Sequence, residues 1–319
     1  MTKRIILDVD TGIDDALAIG YAAHSPELVL LGITTTFGNI SVPEATRNSL
    51  VLLEKLNKEV PVYQGADKPY ARELFKPYSR HIHGEDGIGG CFSESPLRSA
   101  AEGHAADFII DQARKYPREL TVIAVGPLTN LALALNRCPE LPELLDRLII
   151  MGGAVTVPGN VTPTAEANIY ADPEAAEYVL TAGFNLTLVG LDVTMQTLLP
   201  QSDVDAWRGQ GELAEFMADM TDFYMQAYKN FKPGIAGCAL HDPLAVGVAI
   251  DPGFVTTKPM HIAVDTGDSP TVGRTHEVKS GEVPATEMSA GAARAGKTID
   301  VCLEVDAERF LRHFLGRIL

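Results

Sequence analysis

Basic residues are scarce in this chain: 26 Lys and Arg stand against 42 Asp and Glu, a formal charge of −16. That balance disfavours a nucleic-acid backbone or an anionic membrane as partner, because the field of the whole molecule repels both. Cysteine is scarce too. Its four copies, Cys91, Cys138, Cys238 and Cys302, are widely spaced and form neither a CxxC pair nor a zinc pattern, so they read as reduced and mostly buried. No apolar run approaches the roughly eighteen residues of a bilayer span, and Met1-Thr2-Lys3-Arg4 runs into an apolar stretch without the features of a secretion signal. A soluble, cytoplasmic protein is expected, with a neutral small molecule as partner, no nucleic acid and no membrane.

What is present is ordinary globular material. The 319 residues, 46% hydrophobic and 21% charged, can bury a sizeable core, and no repeat, low-complexity tract or linker divides them. One large domain or two intimate ones are possible at this length, and residues 1–319 are read as one. Apolar strand-like runs alternate with helical patterns: Ile5 to Val9, helix Asp14 to His24, strand Leu28 to Thr36, helix Val42 to Leu56, a short strand near Val60 to Tyr63. The alternation resumes with helix Ala105 to Lys115, strand Leu120 to Val125, helix Pro127 to Leu135, strand Arg147 to Met151, helix Pro173 to Thr181 and strand Leu186 to Leu191. Strands that read as continuous apolar runs in βα order predict an α/β fold, with an open, mostly parallel sheet covered by helices on both faces. Near the end, Met260 to Val264, Thr271 to Val278 and Thr298 to Val305 read as a small antiparallel element before a last helix, Ala307 to Ile318.

The most informative stretch is Leu7-Asp8-Val9-Asp10-Thr11-Gly12-Ile13-Asp14-Asp15, which sets four carboxylates within eight residues at the end of the first strand. In open α/β sheets that edge is where ligands bind. Like charges this close persist most cheaply around a cation or with some of them protonated, and oxygen donors suit a hard ion such as Ca²⁺ or Mg²⁺. Capping of the first helix accounts for Asp14 or Asp15 alone, but not for Asp8 and Asp10 as well. Other strand ends on the same edge carry Thr34-Thr35-Thr36-Phe37-Gly38-Asn39, Val125-Gly126-Pro127-Leu128-Thr129-Asn130 and Met151-Gly152-Gly153. The stretch Gly159 to Asn168 offers Asn160, Glu166 and Asn168 to hydroxyl groups, and equally suits a solvated loop. His241-Asp242-Pro243 starts a helix, with Asp242 as a plain N-cap or as part of a site in which His241 moves a proton. Between Tyr63 and Gly103 the regular pattern dissolves, and loops of that length are usually functional or disordered.

Together, Asp8 to Asp15, Asn39, the Val125 to Asn130 turn, the Asn160 to Asn168 stretch and His241-Asp242 resemble, in order, the motif set of the inosine–uridine-preferring nucleoside hydrolases. The resemblance implies hydrolysis of the N-glycosidic bond of ribonucleosides to free base and ribose by a Ca²⁺-bound water, in purine and pyrimidine salvage, by a cytoplasmic homodimer or homotetramer. It implies Asp10, Asp15, Asp242 and the Val125 carbonyl as metal ligands, Asp10 as general base and His241 as the leaving-group acid. Asp14, Asn39 and Asn168 would hold ribose hydroxyls, with Asn160 and Glu166 towards the 5′ end. Ala167 stands where purine-preferring relatives often carry an aromatic. Tyr224 and Tyr228, four apart and so on one helix face, match the pair that covers the base, and His83 matches a loop motif near it. The specificity expected is broad, or of the inosine/uridine type.

Two other readings compete. Asp8-Val9-Asp10-Thr11 also fits the nucleophile motif of a haloacid-dehalogenase-like phosphatase, but the downstream Lys and acidic pair are not evident. A Ca²⁺- or sugar-binding module is the non-enzymatic alternative. An EF-hand loop starting at Asp8 fails, because the position that needs Gly is Ile13 and the twelfth is Ile19.

Overall fold

The computed structural model describes residues 2–73, 76–92, 95–278 and 297–319. Twelve strands are found among the described residues: β1 Lys3–Val9, β2 Leu28–Thr35, β3 Val62–Gln64, β4 Leu120–Ala124, β5 Arg147–Met151, β6 Leu186–Val189, β7 Leu198–Leu199, β8 Cys238–Ala239, β9 Val255–Met260, β10 Ile262–Val264, β11 Thr275–Glu277 and β12 Ile299–Val305. Eight of them form the central sheet, in the order β3-β2-β1-β4-β5-β6-β12-β9. The first seven in that order run parallel and β9 closes the edge antiparallel to β12.

The chain builds β1, β2 and β3 outward in one direction, then restarts on the other side of β1 with β4. This reversal opens a crevice between the carboxyl ends of β1 and β4, the usual ligand position of such sheets. Asp10 and Val125 are the residues that leave those two strands. Each strand feeds both faces of the sheet: Ile5, Leu7 and Val9 enter one core, Ile6 the other. The first core lies under the helices Ile13–His24, Glu212–Phe231, His241–Ile250 and Ala307–Leu315, and the second under Ala105–Lys115, Thr129–Arg137 and Pro173–Leu180. The helix Ile13–His24 is apolar all round, with Ala16, Leu17, Ala18 and Ile19 fully buried, because other helices cover the face that the sheet does not.

The expected α/β architecture is found, and the C-terminal part corrects one detail. Only β10 and β11 form the small antiparallel pair, whereas β12 enters the central sheet beside β6 and β9 pairs with it. Periodicity marks a strand but not its partner, and the partner of Asp300 is Thr187, far away in sequence. Pro259 lies in β9, where an edge strand tolerates a missing donor. Among the described residues, no helix is long and apolar enough to cross a membrane.

Candidate active site

A cavity of about 420 Å³ opens at this crevice, and eleven of the thirteen residues singled out from the sequence line it. Asp14, Asn39 and His83 come from the N-terminal third. Val125, Asn160, Glu166 and Asn168 come from the loops after β4 and β5, and Tyr224, Tyr228, His241 and Asp242 from two later helices. The remaining two, Asp10 and Asp15, are fully buried and do not form part of its wall.

The acidic residues divide into distinct tasks. Asp8 accepts hydrogen bonds from Thr34 Oγ1 at 2.5 Å and Asn130 Nδ2 at 2.8 Å, and so ties β1 to β2 and to the helix after β4. Asp15 accepts from the backbone N–H groups of Gly12 at 2.8 Å and Asp10 at 3.1 Å, which shapes the turn into the first helix. Asp10 Oδ2 accepts from the Asn39 N–H at 2.6 Å, while its Oδ1 is buried and without a hydrogen-bond partner. Asp14 Oδ1 is likewise unpartnered. The β2 loop passes so close that a Cβ on Gly38 would lie 2.1 Å from Asp10 Oδ2, so only glycine fits there.

Carboxylate oxygens of Asp14, Asp15 and Asp242 lie within 4.8 Å of one another, a group able to hold a metal ion; Asp14 rather than the expected Asp10 completes it, and the buried, unpartnered Asp14 Oδ1 fits a cation there. Burial is the first cause that makes these carboxylates hard to ionise, and their mutual repulsion adds to it for Asp10, Asp14 and Asp242. Asp14 is raised to about 8 and Asp8 to about 7.

The sign of the resulting pH dependence follows. A folded carboxyl that keeps its proton up to about pH 8, against 3.8 ordinarily, makes the metal-free protein lose stability as pH rises through that window. Buried His83 and His241, lowered to about 3 and 4, act oppositely, but only below their ordinary 6.5. Chelator-stripped protein is therefore expected to lose thermal stability between about pH 6.5 and about pH 8, and a saturating divalent cation to restore on the order of 5–10 °C at the upper end. Scanning calorimetry with and without cation checks this; equal midpoints at both pH values would remove the cation from the site.

A hydrogen-bonded chain runs from the carboxylates along the cavity wall. Tyr224 Oη donates to Asp14 Oδ2 at 3.2 Å, lies 3.4 Å from Tyr228 Oη, and Tyr228 Oη is 2.6 Å from His241 Nε2. Thr194 Oγ1 holds the other ring nitrogen, Nδ1, at 2.7 Å. The two tyrosine rings meet edge to face at 4.9 Å, and His83 stacks on Tyr224 at 5.4 Å. His83 Nδ1 also accepts the Ile13 N–H at 3.1 Å, so the ring links the long loop to the start of the first helix. Glu166 accepts from the backbone N–H groups of Asn168, Gly153 and Ile169, and Asn168 Nδ2 donates to the Val125 carbonyl at 2.7 Å. Glu166 thus caps the short helix that presents Asn168. Thr194 and Lys76 escaped the reading of the sequence: Thr194 follows a run that looked like continuing strand, and Lys76 sits in a loop whose composition looks solvated.

An α/β sheet with buried carboxylates at its switch point, facing a tyrosine–histidine chain, defines an enzyme site. The profile of the family described as inosine-uridine preferring nucleoside hydrolase matches residues 5–312, and this chain belongs to that family. It is 39% identical over 266 residues to uridine nucleosidase 1 of Arabidopsis thaliana, covering 83% of this chain and 79% of that protein. It is 38% identical over 275 residues to the pyrimidine-specific ribonucleoside hydrolase RihB of Escherichia coli, covering 86% of each. Among solved structures it is similar to a purine-preferring ribonucleoside hydrolase from Gardnerella vaginalis, with TM-score 0.91, 43% identity and coverage of 99% of this chain and 98% of that one. A plant nucleoside hydrolase, PpNRh1, matches with TM-score 0.92, 34% identity and coverage of 100% and 99%. The chain is accordingly a nucleoside hydrolase, and the phosphatase and binding-module readings fall away.

Proposed function

We propose that this hydrolase accepts both uridine and inosine. The observation that carries the reading is the chain Asp14, Tyr224, Tyr228, His241 on the wall of the carboxylate cavity. The named relatives point both ways, to pyrimidines and to purines, so the groups around the base must decide. Two tyrosines within hydrogen-bonding distance of each other offer a large apolar face and a polar route to His241. That combination serves the larger purine ring as well as uracil.

The reaction joins a water oxygen to C1′ and breaks the bond from C1′ to the base nitrogen. Asp10 Oδ1, the unpartnered oxygen, takes a proton from the water. The base departs with the bonding electrons and receives a proton from the Tyr228–His241 end of the chain. Burial lowers His241 to about 4, so it is neutral before substrate binds; it takes up a proton from solvent as negative charge builds on the departing base and passes that proton on, and Asp10 returns the proton taken from water to solvent at the end of the cycle. Asp14 and Asn168 hold the ribose hydroxyls, with Asn39 beside them, and the ring of carboxylates favours the oxocarbenium-like transition state over the ground state. Asp10, Asp15, Asp242 and the Val125 carbonyl would hold the cation, which we take to be Ca²⁺ as the family resemblance implies; the hard oxygen donors suit such an ion. When bound, such an ion orients ribose hydroxyls and acidifies water.

Incubation with mixed ribonucleosides is expected to release free base and ribose from uridine and inosine. In the double variant Tyr224→Ala, Tyr228→Ala the ratio of kcat/KM for inosine to that for uridine is expected to fall about tenfold, each ring contributing on the order of 1 kcal/mol beyond its buried area. An unchanged ratio would assign both tyrosines to packing alone.

A further inference from the structure

Lys76 is 6% exposed and contributes to the cavity wall. Lysines ordinarily keep the ammonium in water, and an interior one needs compensating partners. The partners here are meagre. Nζ donates to Ser79 Oγ at 3.0 Å and, more weakly, to the Gly38 carbonyl at 3.5 Å, both neutral, although an ammonium carries three protons. The charges that act on it are those of Asp10 and Glu166, and neither forms a hydrogen bond to Nζ: Asp10 Oδ2 accepts the Asn39 N–H, Asp10 Oδ1 has no hydrogen-bond partner, and both oxygens of Glu166 accept backbone N–H groups.

The same cavity contains the complementary vacancy. Asn160 Oδ1 is buried and has no hydrogen-bond partner. A hydroxyl is at once donor and acceptor, and so satisfies a carbonyl oxygen and an ammonium together. The Asp14, Asp15 and Asp242 trio takes the diol end, while Glu166, whose charge acts on Lys76, and Asn160 are the residues that the resemblance described above sets towards the 5′ end.

We propose that Lys76 is a substrate-binding residue that donates to the 5′-hydroxyl of the ribose, with Asn160 Oδ1 accepting from the same group. The inference rests on the ribonucleoside reading above. Lys76→Met keeps most of the length of the side chain and removes the donor. With uridine, this variant is expected to lose about 10- to 100-fold in kcat/KM, the range for a hydrogen bond to a charged group. With 5′-deoxyuridine, wild type and variant should agree within about threefold, because the partner oxygen is missing from the start. Lys76→Gln, which retains a neutral donor, should recover part of the loss on uridine only. Thermal midpoints confirm that all three proteins are folded. Equal losses on both nucleosides would overturn the role of Lys76 while leaving the hydrolase reading intact. A folded wild type inert towards uridine and 5′-deoxyuridine alike would overturn both.

Discussion

Asp10→Ala is expected to lower turnover of uridine by on the order of 10⁴ and to weaken cation binding in the same protein, because one carboxylate serves as base and as proposed ligand. The geometry makes the two losses inseparable. Oδ2 is fixed by the Asn39 N–H at 2.6 Å, and Oδ1, buried and unpartnered, is the oxygen left for the chemistry. Asp10→Asn separates shape from charge: it keeps a neutral oxygen ligand and cannot take a proton, so turnover should fall nearly as far with a smaller loss of cation. In the stripped state neither variant should be less stable than wild type, since burial and the charge of Asp15 make an ionised Asp10 costly there. Turnover, isothermal titration with Ca²⁺ and elemental analysis together decide the matter. Full activity of wild type in a demonstrably metal-free preparation would refute the cation's part in it.

His241→Ala should slow inosine and uridine by roughly 10² to 10⁴, the usual worth of one general acid. A nitrophenyl riboside, whose leaving group needs no proton, should be cleaved at a nearly unchanged rate. The contrast isolates proton delivery from positioning. His241 is held at both ring nitrogens, by Tyr228 at 2.6 Å and Thr194 at 2.7 Å, so a purely architectural histidine would also disturb Tyr228 when removed. Such a disturbance would slow both kinds of substrate. Equal losses would therefore reject the acid role and leave His241 as the residue that positions the tyrosine.

The first strand, its acidic turn and the helix beyond it were legible because each is a local pattern. An apolar run followed by Gly12 and two first-turn acids has few other solutions, and the alternation of such units yields a parallel sheet without further information. The edge on which Asn39, Val125 and Gly152-Gly153 gather follows from the same rule, since every βα loop of a parallel sheet emerges at one end.

What lay beyond the sequence is which of the clustered groups are already paired. Asp8 and Asp10 look alike in the chain and each keeps one buried oxygen without a hydrogen-bond partner, yet the other oxygen of Asp8 is tied to Thr34 and Asn130, whereas that of Asp10 is held by the Asn39 N–H in the loop that lines the cavity. Those partners come from other segments, and only their packing against β1 assigns them. The same holds for the tyrosine–histidine chain, whose end at Asp14 spans 210 positions, and for Lys76, whose loop composition suggests solvent while the fold buries it. Strand β12 joins the central sheet for a related reason: a strand's own residues specify its two faces, and its edges accept whichever neighbour the remaining packing brings. The chain's local order thus determined the sheet, the edge and the kinds of residue at the site. Tertiary packing alone decided which carboxylates, hydroxyls and amines were left without partners there, because a group's availability depends on segments that the local pattern does not encode.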